Sequence, residues 1–384
     1  MRSALKAFLS RKNISLLPTP SYVYFPEILK KNIKIFSKFI KNDIAVLYAV
    51  KAGNYDPMIA ELINNGFGFD VASQEECEHV LSLGANPSLI SFSAPTKKKN
   101  DIIYASERGI KYYAFDTEDE IEKIVWSAKD PILFARVDVN VKDAVFDQSS
   151  KFGMSQEYFK QIIKQSKRKG WPVKGITFHV GSQNTSLHAW NRAFISVKEY
   201  IKIAKDIGVE IEYVNLGGGI PAQYNPAVPP AEEFIERISF LRKEMSKSFP
   251  QVKFSIEPGR SMAANTMALL TKVMDIKKKK KPPVVIVDTG IYNGVLESLE
   301  YFTDFDLPIY SDHISVRQKG RFKIAGLSCD GSDIIKQSVL LPKALKVGDV
   351  LAIMYAGAYT FVYENFHMVP YPKIIPIDTL PSHH

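Results

Sequence analysis

The chain is poor in cysteine and has no long apolar run. Two cysteines, Cys77 and Cys329, in 384 residues are too few for a disulfide framework and fit a reducing compartment. No apolar stretch approaches the ~20 residues that span a bilayer. The segment Met1–Lys6 carries two positive charges but neither a long apolar stretch nor a small-residue cleavage site. A cytoplasmic protein is expected. Internal repeats and low-complexity tails are absent. The net charge is +9, densest at Lys277–Lys281 before Pro282-Pro283. Aromatic residues do not interleave with this run, so it reads as a solvated loop between strands rather than a nucleic-acid patch. Excess positive charge also helps draw in an anionic ligand.

What is present is an ordinary apolar fraction, 46%, enough for a substantial core. From Ile44 onward, strand-like apolar runs recur near 44–50, 67–71, 89–93, 111–115, 132–138, 173–179, 211–216 and 252–257. Segments with apolar residues three and four apart separate them, at about 57–65, 74–84, 97–109, 118–128, 155–170, 187–208 and 230–248. Strict alternation implies a parallel sheet, and eight strands suggest closure into a (β/α)8 barrel over 26–260. A doubly wound open sheet is the competing arrangement, but it places its glycine-rich loop after the first strand. Here Gly217-Gly218-Gly219 follows the seventh. After Arg260 the runs are separated by turn residues with few helices between, so 261–384, with 1–25, reads as a mainly β domain. Ser21–Phe25 is strand-like and could instead extend the barrel.

Barrel chemistry gathers where strands end. Lys51 follows the first strand, and a lysine leaving a buried strand is desolvated, which frees its amine to attack a carbonyl. Such a lysine also serves simply to solvate a strand end. Asp70, Arg136, His179, the glycine triplet and Glu257-Pro258-Gly259-Arg260 close later strands. Three glycines let backbone N–H groups approach a phosphate. Glu257 could hold a proton on a pyridine nitrogen, and His179 could lie flat on an aromatic ring. Each residue has an ordinary alternative: a turn, an ion pair, a core histidine. Cys329 in the later domain reads equally as a buried thiol, and Tyr359 as a core aromatic.

In this order, Tyr48-Ala49-Val50-Lys51-Ala52, Phe69-Asp70-Val71-Ala72-Ser73, His179-Val180-Gly181-Ser182-Gln183, Gly217-Gly218-Gly219, Glu257-Pro258-Gly259-Arg260, Cys329-Asp330 and Gly357-Ala358-Tyr359-Thr360 resemble the fold type III decarboxylases that use pyridoxal phosphate. That group includes eukaryotic-type ornithine decarboxylase and diaminopimelate decarboxylase, and the resemblance is closest to the former. It implies an alanine racemase-like barrel with a C-terminal β-sandwich or β-barrel domain. Lys51 would carry the cofactor as a Schiff base, His179 would stack on its ring and Glu257 would pair with the ring nitrogen. Ser182, Gly219, Arg260 and Tyr359 would hold the phosphate, with Gly218 and Gly259 lining the cofactor. Asp70, Glu76 and Arg136 would orient Lys51 and His179. Cys329 would return a proton after carbon dioxide leaves, and Asp330 would bind the distal amine. The family shares active sites across a homodimer, and the segment around Lys151-Phe152-Gly153 matches its mobile loop. No metal, nucleic acid or membrane is implied.

Substrate class follows from departures. Diaminopimelate decarboxylases place Glu after the cysteine and use arginine near the C-terminus, whereas Asp330 follows Cys329 and residues 360–367 contain no arginine. Ornithine is expected first and lysine second, for polyamine biosynthesis. Ornithine decarboxylases carry Tyr-Asp eight and nine residues after the tyrosine matching Tyr292. Here those positions hold Glu300-Tyr301, and a shifted acid would permit lysine, arginine or a siderophore precursor. A racemase of the same fold type is disfavoured by Cys329-Asp330. A non-catalytic antizyme-inhibitor-like regulator is disfavoured by the intact Lys51, His179, Glu257 and Cys329.

Overall fold

A computed structural model of the protein describes residues 17–141, 144, 151–296, 308–311, 318–363 and 372–377. Contacts divide the chain into two compact units, Asn32–Ser261 and, together, Met1–Lys31 with Met262–His384.

The chain enters through β1 (Ser21–Tyr24) and α1 (Pro26–Ile40). Helix α1 precedes the alternation visible in the sequence. Its marks are Pro26 in the first turn and buried Ile28, Leu29, Ile33, Phe36 and Phe39 at helical spacing. The barrel strands are β2 (Ile44–Ala49), β3 (Gly68–Val71), β4 (Ile90–Phe92), β5 (Tyr112–Phe115), β6 (Ile132–Arg136), β7 (Val173–Thr177), β8 (Tyr213–Asn215) and β9 (Lys253–Ile256). They pair in sequence order, all parallel, and β9 pairs back onto β2 with Ile44 opposite Phe254. The intervening helices are α2 (Asp56–Asn64), α3 (Gln74–Ser82), α4 (Lys99–Glu107), α5 (Glu118–Ser127), α6 (Gln156–Lys169), α7 (Leu187–Ile207) and α8 (Ala231–Ser248).

Local chemistry fixes where these helices start and stop. Ser73, Thr117 and Ser155 each accept a hydrogen bond from the N–H three residues on, capping α3, α5 and α6. Gly170 and Gly208 end α6 and α7 in the left-handed conformation. The strands are nearly apolar throughout because helices cover the outside of a parallel barrel. Polar side chains appear at their ends, where the chemistry is.

The second unit is an eight-stranded mixed sheet built on β10 (Met267–Lys277). Its other strands are β1, β11 (Val284–Val287), β12 (Ile309–Ser311), β13 (Lys319–Ala325), β14 (Ile334–Pro342), β15 (Val350–Met354) and β16 (Lys373–Pro376). The first half of β10 pairs with β1 and β15, and its second half, past an irregularity between Val273 and Asp275, pairs with β11. Val23, Phe25, Ala268, Leu270, Val350, Ala352 and Met354 share one core. Strand β1 therefore belongs to this sheet, with Tyr22 opposite Leu269, and not to the barrel. The barrel closes with eight strands of its own and has no free edge to extend. Lys278–Lys281 are exposed in the turn between β10 and β11. Among the described residues, no helix is long and apolar enough to cross a membrane.

Candidate active site

The first correction concerns Lys51. Strand β2 ends at Ala49, and Lys51 sits in a short 3-10 turn, Val50–Ala52, with its side chain about half exposed at 49%. Desolvation at a strand end is therefore not what prepares its amine. An ion pair holds it as the ammonium instead: Lys51 Nζ donates to Asp70 Oδ2 at 2.9 Å. Asp70 is brought there by register, since Ala49 of β2 pairs with Asp70 of β3. Its other oxygen, Oδ1, is buried with no hydrogen-bond partner among the described residues. Glu76 lies one helical turn along; its Oε2 accepts from the Ala72 N–H at 2.7 Å, and burial raises its pKa.

Glu257 follows β9 and is buried. Ser93 Oγ and Asn215 Nδ2 each donate to its Oε1 at 2.5 Å. Among the described residues no hydrogen bond is made to Oε2. Burial pushes the Glu257 carboxyl up to about 7, reinforced by the Asp70 charge and opposed by Lys51. Buried Arg136, at the end of β6, lies within electrostatic reach of Glu257, Asp70 and Asp116. Its guanidinium faces the Phe152 ring at 6.0 Å. Gly153, at φ 102°, lets the chain fold back so that Met154 N–H reaches the Arg136 carbonyl at 2.9 Å.

His179 follows β7. Its Nδ1 accepts from the Gly181 N–H at 2.9 Å, which places the remaining ring proton of the neutral imidazole on Nε2. Burial first, then the positive charges of Arg136 and Lys51, hold its pKa well below 6.5. The ring is neutral at physiological pH.

The glycine triplet follows β8 and Arg260 follows β9. Gly217 has φ 63°, and a Cβ there would fall 1.9 Å from the Phe178 carbonyl oxygen. At Gly218 a Cβ would lie 2.8 Å from the Glu257 carbonyl oxygen and 3.0 Å from His179 Nε2. Only bare backbone fits that wall. Gly217 N–H donates to Asn215 Oδ1 at 2.9 Å. Buried Arg260 donates to Ser182 Oγ at 3.1 Å and to Tyr224 Oη at 3.3 Å. Gly259 lies in the turn that delivers Arg260.

Lys51, Asp70, Arg136, His179, Ser182, Gly218, Gly219, Glu257, Gly259 and Arg260 are thus on one barrel, at the ends of its strands or in the segments that follow them. Tyr359, Cys329, Asp330 and Tyr292 belong to the β unit. There Tyr292 Oη donates to Asp330 Oδ2 at 2.8 Å, and Ser332 N–H and Oγ both reach Asp330 Oδ1. Cys329 is exposed, so the buried-thiol alternative fails for it and holds for Cys77, which burial pushes up to about 12. Tyr359 takes a left-handed backbone, φ 52°. Glu300 and Tyr301 lie outside the described residues.

Three polar partners escaped the sequence reading: Ser93, Asn215 and Tyr224. The available signal was slight. Ser91 and Ser93 alternate around Phe92 at the end of β4, and Asn215 is a polar residue closing an apolar strand.

The residues present fit pyridoxal phosphate. The chemistry is that of its parts: an amine (Lys51), a buried carboxylate with one oxygen not hydrogen-bonded among the described residues (Glu257), a flat neutral ring (His179) and side-chain-free backbone beside a buried guanidinium (Gly217–Gly219 and Arg260). Residues 27–264 match the pyridoxal binding domain of the pyridoxal-dependent decarboxylases. The lysine/ornithine decarboxylase of Selenomonas ruminantium is 28% identical over 374 residues, covering 94% of this chain and 92% of that protein. The diaminopimelate decarboxylase of Zymomonas mobilis is 30% identical over 361 residues, covering 89% of this chain and 83% of that one. The crystal structure of lysine/ornithine decarboxylase from Vibrio vulnificus, complexed with cadaverine, superposes with a TM-score of 0.84 at 25% identity, covering 98% of each chain. The chain belongs to the pyridoxal-dependent decarboxylase family, amino acid carboxy-lyases whose cofactor is pyridoxal phosphate.

Proposed function

We propose that the protein decarboxylates a basic L-amino acid with two amino groups, ornithine first and lysine second, releasing a diamine and carbon dioxide for polyamine synthesis. The observation that carries the substrate class is Asp330, a carboxylate directly after Cys329, whose two oxygens are held by Tyr292 and Ser332. A carboxylate fixed in this way reads a distal ammonium through a charge-assisted hydrogen bond. It repels the second carboxylate of diaminopimelate. Two relatives named for lysine and ornithine, one of them complexed with cadaverine, support the same class.

When bound, pyridoxal phosphate supplies the electron sink for the pair left by departing carbon dioxide. The chain's own residues do the rest. Lys51 would hold the cofactor through its amine, and Asp70 would pair with the Lys51 ammonium whenever that amine is free. Glu257, ionised, keeps a proton on the ring nitrogen. His179, neutral, packs against the ring face without adding a charge that would oppose that proton. Ser182, Gly218, Gly219, Gly259, Arg260 and Tyr359 bind the phosphate end. Arg136 offsets the carboxylates Asp70 and Glu257 at the floor of the site. Cys329 delivers one proton to the carbon that lost its carboxylate. In this reading Cys329 and Asp330 serve the site of a second subunit, and the active form is a cytoplasmic homodimer. Glu300 shares the choice of chain length with Asp330.

Carbon dioxide release from ornithine, lysine, arginine and meso-diaminopimelate tests the reading. Ornithine and lysine should be turned over fastest, and Glu300→Ala should change their ratio. Faster turnover of meso-diaminopimelate or arginine would overturn the assignment. Racemisation without gas release would move the protein to a different reaction.

A further inference from the structure

Glu257 is gripped from one side. Ser93 Oγ and Asn215 Nδ2 arrive from two different strand ends, β4 and β8, and both donate to the same oxygen, Oε1, at 2.5 Å. We propose that Ser93 and Asn215 are positioning residues for Glu257: together they fix the rotation of its carboxylate and reserve Oε2 for the ring nitrogen of the cofactor. The proposal rests on the reading of Glu257 as the acid opposite that nitrogen.

Each donor's direction is settled by what lies behind it. A hydroxyl has one proton, and Ser93 gives its proton to a carboxylate that can only accept while ionised. Ser91 Oγ, 2.9 Å from Ser93 Oγ, must then be the donor in that pair. The three groups form a one-way chain, Ser91 to Ser93 to Glu257. Asn215 is fixed in the same manner. Its Oδ1 accepts from the Gly217 N–H at 2.9 Å, so its amide nitrogen has to face Glu257. One carboxamide thereby ties the first glycine of the phosphate cradle to the acid at the other end of the cofactor.

The grip also acts on charge. Burial and the Asp70 charge disfavour ionised Glu257, and the hydrogen bonds from Ser93 and Asn215 work against that. Donors to a charged acceptor are among the stronger protein hydrogen bonds. Behind the grip, Ser91 and Asn215 line a cavity of about 200 Å³ together with Tyr112, Phe134 and Tyr213. The chain of hydroxyls therefore ends at the wall of this cavity.

The test uses the cofactor-loaded enzyme and the variants Ser93→Ala, Ser93→Thr and Asn215→Asp. Two quantities are followed against pH: kcat with KM, and the cofactor absorbance without substrate. Ser93→Ala should lower kcat about tenfold with KM changed less than about twofold. Its acidic limb and its absorbance midpoint should both move up by about one pH unit, because ionised Glu257 has lost a donor. Ser93→Thr keeps the hydroxyl and should restore both. Asn215→Asp replaces a donor by a second carboxylate and should shift the midpoint further than Ser93→Ala does. Should Ser93→Ala fail to fold, Ser93→Thr and Asn215→Asp still give opposite expected outcomes. A wild-type midpoint in both Ser93→Ala and Asn215→Asp, with the cofactor on Lys51, would overturn the positioning role alone. A cofactor attached to another residue would remove the underlying reading as well.

Discussion

Tyr292 and Asp330, 38 residues apart in sequence, meet at 2.8 Å, the phenol donating to Oδ2. Ser332 holds the other oxygen from its backbone N–H at 2.9 Å and its hydroxyl at 2.7 Å. The acid is fixed before any substrate arrives, so less ordering is needed when it binds an ammonium. Asp330→Ala should raise KM for ornithine and lysine roughly tenfold or more, with the cofactor absorbance unchanged. Tyr292→Phe removes one of the supports and should act in the same direction with a smaller effect. Steady-state kinetics on both substrates checks this. An unchanged KM in Asp330→Ala would take Asp330 out of the substrate pocket.

The glycine cradle makes a sharp comparison possible. Gly217 and Gly66 both have left-handed backbones, φ 63° and 76°. A Cβ at Gly217 would collide with the Phe178 carbonyl oxygen at 1.9 Å, while nothing lies within 4 Å of one at Gly66. Gly66→Ala should cost only the conformational penalty, about 1 kcal/mol, and leave cofactor affinity intact. Gly217→Ala has to displace backbone beside His179 and should weaken cofactor binding as well as stability. Denaturation midpoints and cofactor titration separate the two effects.

Lys97 is fully buried, and burial pushes its pKa down to about 8. It pairs with Glu120 Oε1 at 2.9 Å and donates to the carbonyls of Ala94 at 2.8 Å and Ala114 at 2.5 Å. Glu120 keeps Lys123 as a second cation at 2.6 Å. Lys97→Met leaves a buried carboxylate short of one partner and should destabilise the protein by about 3–5 kcal/mol. The double variant Lys97→Met with Glu120→Leu should recover much of that loss. Because Lys97 anchors the loop that carries Ser93, the single variant should also loosen the cofactor.

Glu257 gives a pH signature in the protein stripped of cofactor. Its folded pKa is raised from 4.5 to about 7, so the fold binds a proton that the unfolded chain has released between those values. That contribution to stability is complete below about 4.5 and is lost as pH rises through about 7. Glu257→Gln has no such loss. Relative to wild type, the variant should therefore gain stability progressively from pH 4.5 to 7 in thermal or denaturant unfolding of the apo protein. A constant difference across that range would mean that burial does not perturb Glu257. His179 works in the opposite sense: its lowered pKa costs stability as pH falls below about 6.5, and a His179→Gln control isolates it.

The barrel was legible because its signal repeats. Eight apolar runs, with seven amphipathic segments between them, allow few architectures, and Lys51, Asp70, His179 and Glu257 stand where those runs stop. Helix α1 was not legible in that pattern, since it precedes the first barrel strand and lies outside the alternation that starts at Ile44. Strand β1 was ambiguous because so short a run does not say which sheet it joins; β10 decided it through long-range pairing. Ser93 and Asn215 were hidden for a different reason. A serine or asparagine after a strand looks like any turn residue, and only the closure of the barrel brings β4 and β8 within hydrogen-bonding distance of Glu257. The surroundings of Lys51 were misread, because a lysine after an apolar strand suggests burial where the fold leaves its side chain half exposed and ion-paired.

The central claim is that the amine of Lys51 holds the cofactor. Borohydride reduction of the loaded enzyme, followed by peptide mapping, tests it directly. A single phosphopyridoxyl label is expected on the peptide containing Lys51, absent in Lys51→Ala. A label on another lysine, or none on a correctly folded and loaded protein, would contradict it.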